Sequence, residues 1–424
     1  MPNKKHQKID NENLVQPLIA LCPLPEIAQS VAAPPYDVLS SDEARIMAKG
    51  NPHSFLHISK PEIDLEKTIS PFDQSVYLKA DENFRNMLQI GSLIRDSSPC
   101  YYIYRMNMKG HSQTGLVAVS PVSAYNENRI KRHELTRPDK EDDRVKQIDS
   151  VNAQTGPVLV VHKPRKEITF ILKEITIGRP LYDVKFDNGV THTLWRVDDL
   201  PLIEKINSAY GSLKEMYIAD GHHRSAAASR ITKMRQAKNP KHEGDEPYNF
   251  FLTVSFSTDE LQILDYNRVV RDLNNLTPEK FLNELNKNFT MTQENGPVRP
   301  DGSNVFGMYI GGNWYRLEMK AQAMITASAV DKLDVQLLTE LILKPLLDIG
   351  DLRTDPRIDF VGGVRGLGEL ESRVNTGGWS VAFSLYPTSI NELMVIADAG
   401  EVMPPKSTWF EPKLADGLVS YPLY

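Results

Sequence analysis

The residues best suited to chemistry are 220–224, which read Asp-Gly-His-His-Arg. The apolar run 216–219 before them predicts a strand, and residues 225–234 after them predict a helix. Gly221 permits a tight turn and lets a ligand approach the backbone closely. A helix start offers free N–H groups and the positive end of a dipole, and both attract an anion. The sequence therefore predicts a phosphate-binding turn.

The side chains of this turn supply further candidate contacts. His222, His223 and Arg224 lie in the first helical turn, and an arginine can fork onto a phosphate. Asp220 is placed to cap the helix, to bind Mg²⁺ or to act as a general base. A plainer interpretation stays open, in which Asp220 is only a cap and the cationic residues are solvated or ion-paired. Zinc is disfavoured, because adjacent histidines do not converge from one helix face.

A second candidate region is the densely charged stretch 129–144. Such a run is typical of a solvated helix face with ion pairs four residues apart. The functional alternative is that Lys131, Arg132 and Lys140 surround an anionic ligand. Glu134, next to a histidine, would then be a carboxylate with a perturbable proton affinity.

The elements that must position these residues mix strands and helices without strict alternation, which favours an α+β fold. We expect strands at 55–58, 101–106, 115–119, 157–161, 250–256 and 261–264. We expect helices at 44–48, after a cap at 40–43, and at 84–93. Short strands and turns are expected over 167–197. A polar break near 295–304 suggests two regions, 1–295 and 296–424.

Composition narrows the class of protein. The chain has 424 residues, 41% of them hydrophobic, and a net charge of −6, which disfavours a general nucleic-acid binder. Its two cysteines, Cys22 and Cys100, form no Cys-x-x-Cys pair, which argues against a dithiol or zinc motif. No apolar run is long enough for a membrane span, and Met1–Lys8 does not resemble a secretory leader. These features predict a cytoplasmic protein.

Two other segments carry candidate ligand-binding residues. Residues 401–410 are stiffened by two prolines and present Lys406, which would close a pocket onto a phosphate unless the segment is a packed C-terminal arm. The glycine-rich run 361–368 lacks the lysine and the glycine spacing of nucleotide-binding loops, so we discount it.

Several segments together resemble a bacterial family, domain of unknown function 1015. They span most of the chain and lie at residues 33–38, 51–55, 133–136 with 143–144, 219–224 and 403–410. The segment 265–268 departs from the family's Pro-x-His-Arg pattern, so no histidine acts there.

The resemblance implies a core similar to the ParB/sulfiredoxin-like fold, with a C-terminal α/β extension. Within that group the turn is most similar to the Asp-Gly-His-x-Arg turn of free-serine kinases. A nucleotide held by residues 221–224 is implied, with a carboxylate that deprotonates a small hydroxyl substrate. Glu134 is the first choice for that base and Asp220 the second. Sulfiredoxin chemistry is disfavoured, since His222 stands where its cysteine is needed.

These arguments predict a phosphotransferase that uses ATP or another nucleotide with Mg²⁺ on a small, amino-acid-like metabolite. The alternative is a regulatory module that binds a nucleotide without net chemistry. DNA binding in the manner of partition proteins is disfavoured by the acidic net charge. A homo-oligomer is compatible with the sequence.

Overall fold

The computed structural model describes residues 13–323 and 328–424, so the expectation for Met1–Lys8 lies outside the described residues. The chain forms two compact units. The first comprises the chain up to Arg132, Thr136–Leu261 and Pro412–Tyr424, and the second comprises His133–Leu135 and Gln262–Glu411.

The strands of the described chain belong to one large sheet in each unit and to three two-stranded pairs. In chain order they are β1 (Leu21–Pro23), β2 (Leu93–Arg95), β3 (Tyr101–Met108), β4 (His111–Pro121), β5 (Ile130–Lys131), β6 (Ala153–Gln154), β7 (Val158–His162), β8 (Tyr182–Lys185), β9 (Thr191–Val197), β10 (Met216–Asp220), β11 (Phe250–Ser257), β12 (Gln262–Leu264), β13 (Tyr266–Val270), β14 (Phe289–Glu294), β15 (Val305–Ile310), β16 (Asn313–Met319), β17 (Ile358–Gly362), β18 (Val381–Ser384), β19 (Trp409–Glu411) and β20 (Tyr421–Pro422).

The α-helices vary from one turn to seventeen residues. They are α1 (Ala28–Val31), α2 (Ser41–Ala48), α3 (Leu56–Ser59), α4 (Gln74–Gln89), α5 (Val122–Asn126), α6 (Pro138–Val151), α7 (Lys166–Ile175), α8 (Leu200–Gly211), α9 (His222–Lys238), α10 (Pro278–Leu285), α11 (Asp334–Leu338), α12 (Lys344–Leu347), α13 (Gly368–Thr376) and α14 (Ile390–Asp398). A π-helical turn, Thr339–Leu343, joins α11 to α12.

The first unit is built on an eight-stranded sheet in the order β5-β10-β7-β11-β4-β3-β9-β8. Its strands are antiparallel except for the parallel pairs β5–β10 and β7–β11. The central strands β7 and β11 are buried along their whole length, which explains their continuous apolar character. The sheet is mixed and its helices do not alternate regularly with strands, so the predicted α+β class is confirmed.

Two clusters of buried apolar side chains hold the elements of the first unit together. One core combines residues of β3, β4, β7, β10 and β11 with residues of α7, α8 and α9. A second core packs α1–α4 against Val151 and Ala153, next to the start of β7. The turn after β10 is therefore attached to a strand that cannot shift without disturbing the core.

The second unit contains an antiparallel sheet in the order β14-β16-β15-β18-β13-β17. Its core includes residues of β13, β15, β16, β17 and α13. The boundary expected at residue 295 falls inside this unit, directly after β14, which pairs with β16. A cut there would separate the two strands of one antiparallel pair. As a division between independently folding domains, 1–295 and 296–424 stays a prediction.

Three local predictions were wrong in type or extent. The helix expected at 84–93 begins earlier, at Gln74, and ends at Gln89, and Leu93 opens β2. Residues 55–58, expected as a strand, belong mostly to the short helix α3, because so short a segment shows no period that separates strand from helix. Residues 166–175, expected as strands and turns, form α7. The β-branched residues of that segment suggested strands, but its apolar residues lie on one helix face against the core.

Candidate functional site

The predicted turn forms where β10 meets α9. Gly221 has φ 101° and ψ 30°, the left-handed region that glycine adopts without strain. A Cβ atom at this position would lie 3.0 Å from Nε of Arg224. Both the backbone angle and the packed guanidinium therefore require glycine here. Gly221 is also the N-cap of α9, so the N–H groups of the first turn lie beside a residue without a side chain.

Arg224 fixes the shape of this turn. Its side chain is only 11% exposed, and its Nη2 lies 3.0 Å from Oδ2 of Asp220. Its Nη1 donates to the carbonyl oxygen of Pro157, just before β7. Burial opposes its charge, but Asp220 and other nearby acidic groups outweigh burial and raise the pKa of Arg224 above its ordinary value. Arg224 is therefore a fixed cation that ties the turn to the neighbouring strand.

A second arginine, Arg144 of α6, lies in the same region. Its guanidinium carbon is 3.9 Å from the centre of the Tyr36 ring, a cation–π contact. Its Nε and Nη2 both donate to Oδ2 of Asp143, at 2.9 and 2.6 Å. Tyr77 donates to the other oxygen of that carboxylate at 2.8 Å. Arg144 is thus held by the Tyr36 ring and by Asp143, and Tyr77 in turn holds that carboxylate.

Asp416 is the acidic member of this group. It is 3% exposed, and burial raises its pKa to about 7, although Arg224 and Arg144 lower it in part. A Cβ atom on Gly156 would lie 3.2 Å from Oδ1 of Asp416 and 3.5 Å from Cδ of Arg224. A carboxyl group that titrates near neutral pH therefore lies close to a buried arginine.

These groups line one small pocket of about 30 Å³ within the first unit. Its wall combines two guanidinium groups, one carboxyl group, one phenol and several neutral polar groups. The lining residues are Tyr36, Ser59, Arg144, Gln147, Ile148, Gln154, Thr155, Gly156, Arg224 and Asp416. We call this space the arginine pocket.

The histidines of the turn have different surroundings. His222 is 5% exposed at the start of α9. His223 accepts a hydrogen bond at Nε2 from the backbone N–H of Arg137, at 3.1 Å. Neither belongs to the lining of the arginine pocket. The structure thus brings Asp220, Gly221 and Arg224 directly together, while His223 joins the turn to the segment before α6.

Two predicted cations lie against aromatic rings. The guanidinium of Arg132 is 5.6 Å from the Tyr125 ring centre, and Nζ of Lys140 is 5.0 Å from that of Phe72. Both side chains are exposed, and neither lines the arginine pocket. Their predicted role in binding an anion stays a prediction.

Glu134 and Lys406 belong to the second unit. Glu134 is half-buried in the short segment 133–135, where the carbonyl oxygen of His133 accepts from the N–H of Met403 at 2.8 Å. Lys406 adopts a positive φ of 58°, and its Nζ lies 5.9 Å from the Tyr266 ring centre. Its carbonyl oxygen accepts from Nη2 of Arg268 at 2.9 Å. Their roles as base and phosphate ligand stay predictions.

Comparison with known proteins places the chain in a family. The model described as "Protein of unknown function (DUF1015)" matches residues 15–336. The chain belongs to this family.

The DUF1015 chain is also similar to several solved structures. A free serine kinase in complex with AMP is 12% identical with a TM-score of 0.34, over 69% of this chain and 86% of that one. A conserved hypothetical protein from Pyrococcus furiosus is 14% identical with a TM-score of 0.34, over 71% and 93%. SbnI with a C-terminal truncation, from Staphylococcus aureus, is 13% identical with a TM-score of 0.37, over 71% and 85%.

Two further findings concern sequence relatives and membrane-spanning helices. No curated protein matches it in sequence. Among residues 13–323 and 328–424, no helix has the length and apolar character that a membrane crossing needs.

Three residues of the arginine pocket were missed by sequence reasoning. Tyr36 and Arg144 lie within segments that carry the resemblance to the DUF1015 family, yet neither was assigned a role. Asp416 lies outside all of those segments, and its surroundings offered no local motif. A signal existed for the first two, because Tyr36 follows two prolines in the segment 33–38 and Arg144 follows Asp143 in the segment 143–144, and both segments carry the resemblance.

Proposed function

We propose that this DUF1015 chain binds a nucleotide at the turn 220–224 and transfers a phosphoryl group to a small, amino-acid-like metabolite. The observation that carries the proposal is the arginine pocket, in which two buried guanidinium groups lie at a glycine turn and helix start. Preorganised cations and helix N–H groups are the parts that phosphoryl transfer requires, because catalysis there is mainly positioning and charge stabilisation.

The pairing of both arginines with carboxylates supports an anionic ligand. Arg224 pairs with Asp220, and Arg144 pairs with Asp143. Arginine binds carboxylate and phosphate through the same forked geometry, so an entering phosphate can share each guanidinium with its carboxylate. The carboxylates also keep both guanidinium groups oriented before a ligand arrives, which reduces the entropy lost on binding.

The hydroxyl of the substrate needs a base. Glu134 and Asp220 are the candidates that the family resemblance implies. The structure adds Asp416, since a general base works best when its pKa is near the working pH, and burial raises the pKa of Asp416 to about 7. Asp416→Asn separates these candidates. If the variant still binds nucleotide but no longer turns over, the base is Asp416.

Magnesium would neutralise the phosphates of the bound nucleotide. Asp220 is a poor fit for a metal ligand, because its two oxygens lie 3.0 Å from Arg224 and 3.9 Å from Lys413. We therefore assign no step to the ion, and we propose that it enters bound to the nucleotide.

The first experiment is calorimetric titration of ATP, ADP and CTP, each with Mg²⁺, into the wild type, Arg224→Lys and Arg230→Ala. Lysine keeps the charge but loses the fork, so affinity should fall by about tenfold or more. Arg230 is the matched control, on the same helix but 41% exposed and paired with Glu141 and Asp142. Its variant should bind as the wild type does.

Turnover is then measured by phosphorus NMR on a panel of hydroxyl amino acids and other small hydroxyl metabolites. A phosphorylated product that Arg224→Lys makes more slowly supports the proposal. The proposal fails if the wild type binds none of the three nucleotides, or if Arg224→Lys binds them unchanged.

A second candidate function is a regulatory module that binds a nucleotide without net chemistry. The observation that favours it is the bonding of Arg224 to Pro157 and Asp220, which couples occupancy of the turn to the start of β7. Binding without product across the whole panel, together with a nucleotide-dependent change in proteolysis pattern, would select this function.

A further inference from the structure

A second cavity lies at the other end of the same central strands. Strands β7 and β11 are parallel, with His162 paired to Ser257 at their carboxyl ends. Strand β10 is antiparallel to β7 and places Asp220 opposite Leu159. Three residues along an extended strand cover about 10 Å, so the phosphate turn and His162 lie at opposite ends of β7.

The cavity has a volume of about 190 Å³, lies within the first unit and shares no residue with the arginine pocket. We call it the distal cavity. Its wall has both charge signs, several hydroxyl groups and two apolar side chains. The lining residues are Arg105, Ser112, Thr114, His162, Ile168, Thr169, Leu172, Lys173, Thr176, Ser257 and Glu260.

His162 lines this cavity, and one of its ring nitrogens is a buried acceptor. Its side chain is 1% exposed, and its Nδ1 lies 2.9 Å from the carbonyl oxygen of Lys163. A carbonyl can only accept, so Nδ1 carries the proton and Nε2 presents a lone pair. That buried Nε2 has no hydrogen-bond partner among the residues that the structure describes. Since an unpaired buried acceptor is costly, a ligand that donates a hydrogen bond here removes a penalty.

Glu260 adds a carboxylate to the lining of the same cavity. Its Oε2 accepts from the backbone N–H of Thr114 at 2.7 Å, while Oε1 hydrogen-bonds to none of the described residues. Burial raises the pKa of Glu260, and the Thr114 hydrogen bond together with the charges of Lys173 and Arg105 lowers it only in part. A further cationic donor from a ligand would stabilise the charged carboxylate. The lining residues His162 and Glu260 therefore carry two acceptors for an ammonium group.

Two further polar groups of the cavity, Arg105 and Lys173, are cationic. Arg105 donates through Nε to Thr114 at 3.1 Å and through Nη2 to Thr176 at 2.8 Å. Its guanidinium carbon lies 4.9 Å from the Trp195 ring centre, so the group is fixed in place. Nη1 of Arg105 and Nζ of Lys173 hydrogen-bond to none of the described residues. Both are available to a carboxylate.

From this arrangement we infer that the distal cavity binds a small zwitterion of the α-amino-acid class. Its ammonium group donates to Glu260 and to Nε2 of His162, and its carboxylate binds Arg105 and Lys173. The apolar faces of Ile168 and Leu172 then contact the ligand's side chain. A ligand with only a negative charge would leave His162 and Glu260 without a donor, and a ligand with only a positive charge would leave Arg105 and Lys173 without an acceptor. This site is separate from the proposed nucleotide site.

The test is calorimetric titration of the full chain with each of the proteinogenic α-amino acids. The ligand that binds tightest is then compared with its N-acetyl derivative, which lacks the ammonium charge, and its carboxamide, which lacks the carboxylate. Each derivative should bind about tenfold more weakly or worse, the loss expected for one charge-assisted hydrogen bond.

Variants locate the site. Glu260→Gln retains an oxygen for the Thr114 N–H but loses the charge, and Lys173→Gln removes the exposed cation from α7. Both should weaken binding by about tenfold. Lys166→Gln, on the same helix but outside the cavity, is the matched control and should bind unchanged. Circular dichroism on each variant verifies that the fold is retained.

Four results would each overturn the inference. The first is that no α-amino acid binds, and the second is that the N-acetyl derivative or sodium sulfate binds as tightly as the amino acid. The third is that Lys173→Gln and Lys166→Gln behave alike. The last is that Arg224→Lys abolishes amino-acid binding, which would place the ligand at the phosphate turn.

Discussion

The two ends of β7 carry two cavities with opposite electrostatic organisation. In the arginine pocket each guanidinium already has a carboxylate partner, with Arg224 on Asp220 and Arg144 on Asp143. In the distal cavity the buried Nε2 of His162 has no partner among the described residues, and one oxygen of Glu260 is likewise open. Ion pairs within the protein fix the geometry of a site, whereas polar groups without a protein partner determine which donors or acceptors a ligand must have.

This difference gives the two sites different sensitivities. Removing one member of a buried ion pair leaves the other uncompensated, so substitutions in the arginine pocket should affect both stability and binding. Substitutions of open groups in the distal cavity should affect binding with a small effect on stability. The four predictions below test this contrast, and in each of them amino-acid binding at the distal cavity is expected to stay unchanged.

The largest effect is expected for Arg224→Ala. The substitution removes the guanidinium that pairs with Asp220 and donates to the Pro157 carbonyl. It should therefore lower the free energy of unfolding by about 3–5 kcal/mol and abolish nucleotide binding. Urea denaturation followed by circular dichroism measures the loss, and Arg230→Ala is expected to cost under about 0.5 kcal/mol. Equal losses in the two variants would contradict the special role of Arg224.

Asp416→Asn should change how stability depends on pH. Burial raises the pKa of Asp416 to about 7, above its ordinary value, so the wild type loses stability as pH rises from about 4 to about 7. Asparagine does not titrate, so as pH rises across that range the free energy of unfolding of the variant should increase by roughly 2–4 kcal/mol relative to that of the wild type. Denaturation at pH 4 and pH 7 measures the gap. The exposed Asp187→Asn should show no such gap, and a constant difference for Asp416→Asn would contradict the prediction.

Gly221→Ala tests the turn itself. Alanine at φ 101° is strained, and its Cβ meets Nε of Arg224 at 3.0 Å, so we expect a cost of about 1–3 kcal/mol. Gly244→Ala is the control, since Gly244 has φ 96° but no atom within 4 Å of the added Cβ. Thermal unfolding should show the larger cost at Gly221. Equal costs would mean that backbone strain alone, without the guanidinium contact, decides the position.

The smallest effect is expected at Tyr36. Tyr36→Ala removes the ring on which Arg144 lies and should cost about 1–2 kcal/mol and weaken nucleotide binding severalfold. Tyr36→Phe keeps the ring and should bind nucleotide nearly as the wild type does. Calorimetry on both variants measures the difference. If the two bind alike, the ring does not position Arg144.

Much of the turn could be predicted from the sequence, because its signals are local. An apolar run, a glycine and a helix-forming segment follow one another, and the structure has β10, a left-handed Gly221 and α9 in that order. The cap of α2 was equally local, as Ser40 and Glu43 form a capping box within the residues 40–43 where a cap was expected. Predictions failed where the pattern was short or mixed, as at α3 and α7.

The sequence alone determined the family, the α+β class and the presence of a glycine turn at a helix start. Only the tertiary structure decided which charges meet at that turn, because Tyr36, Arg144 and Asp416 come from segments far from Arg224 in the chain. It also decided that Arg224 is paired and that Nε2 of His162 has no partner in the part of the chain that the structure describes. Backbone conformation depends mainly on neighbouring residues, whereas burial and charge pairing depend on which distant segments the core brings together.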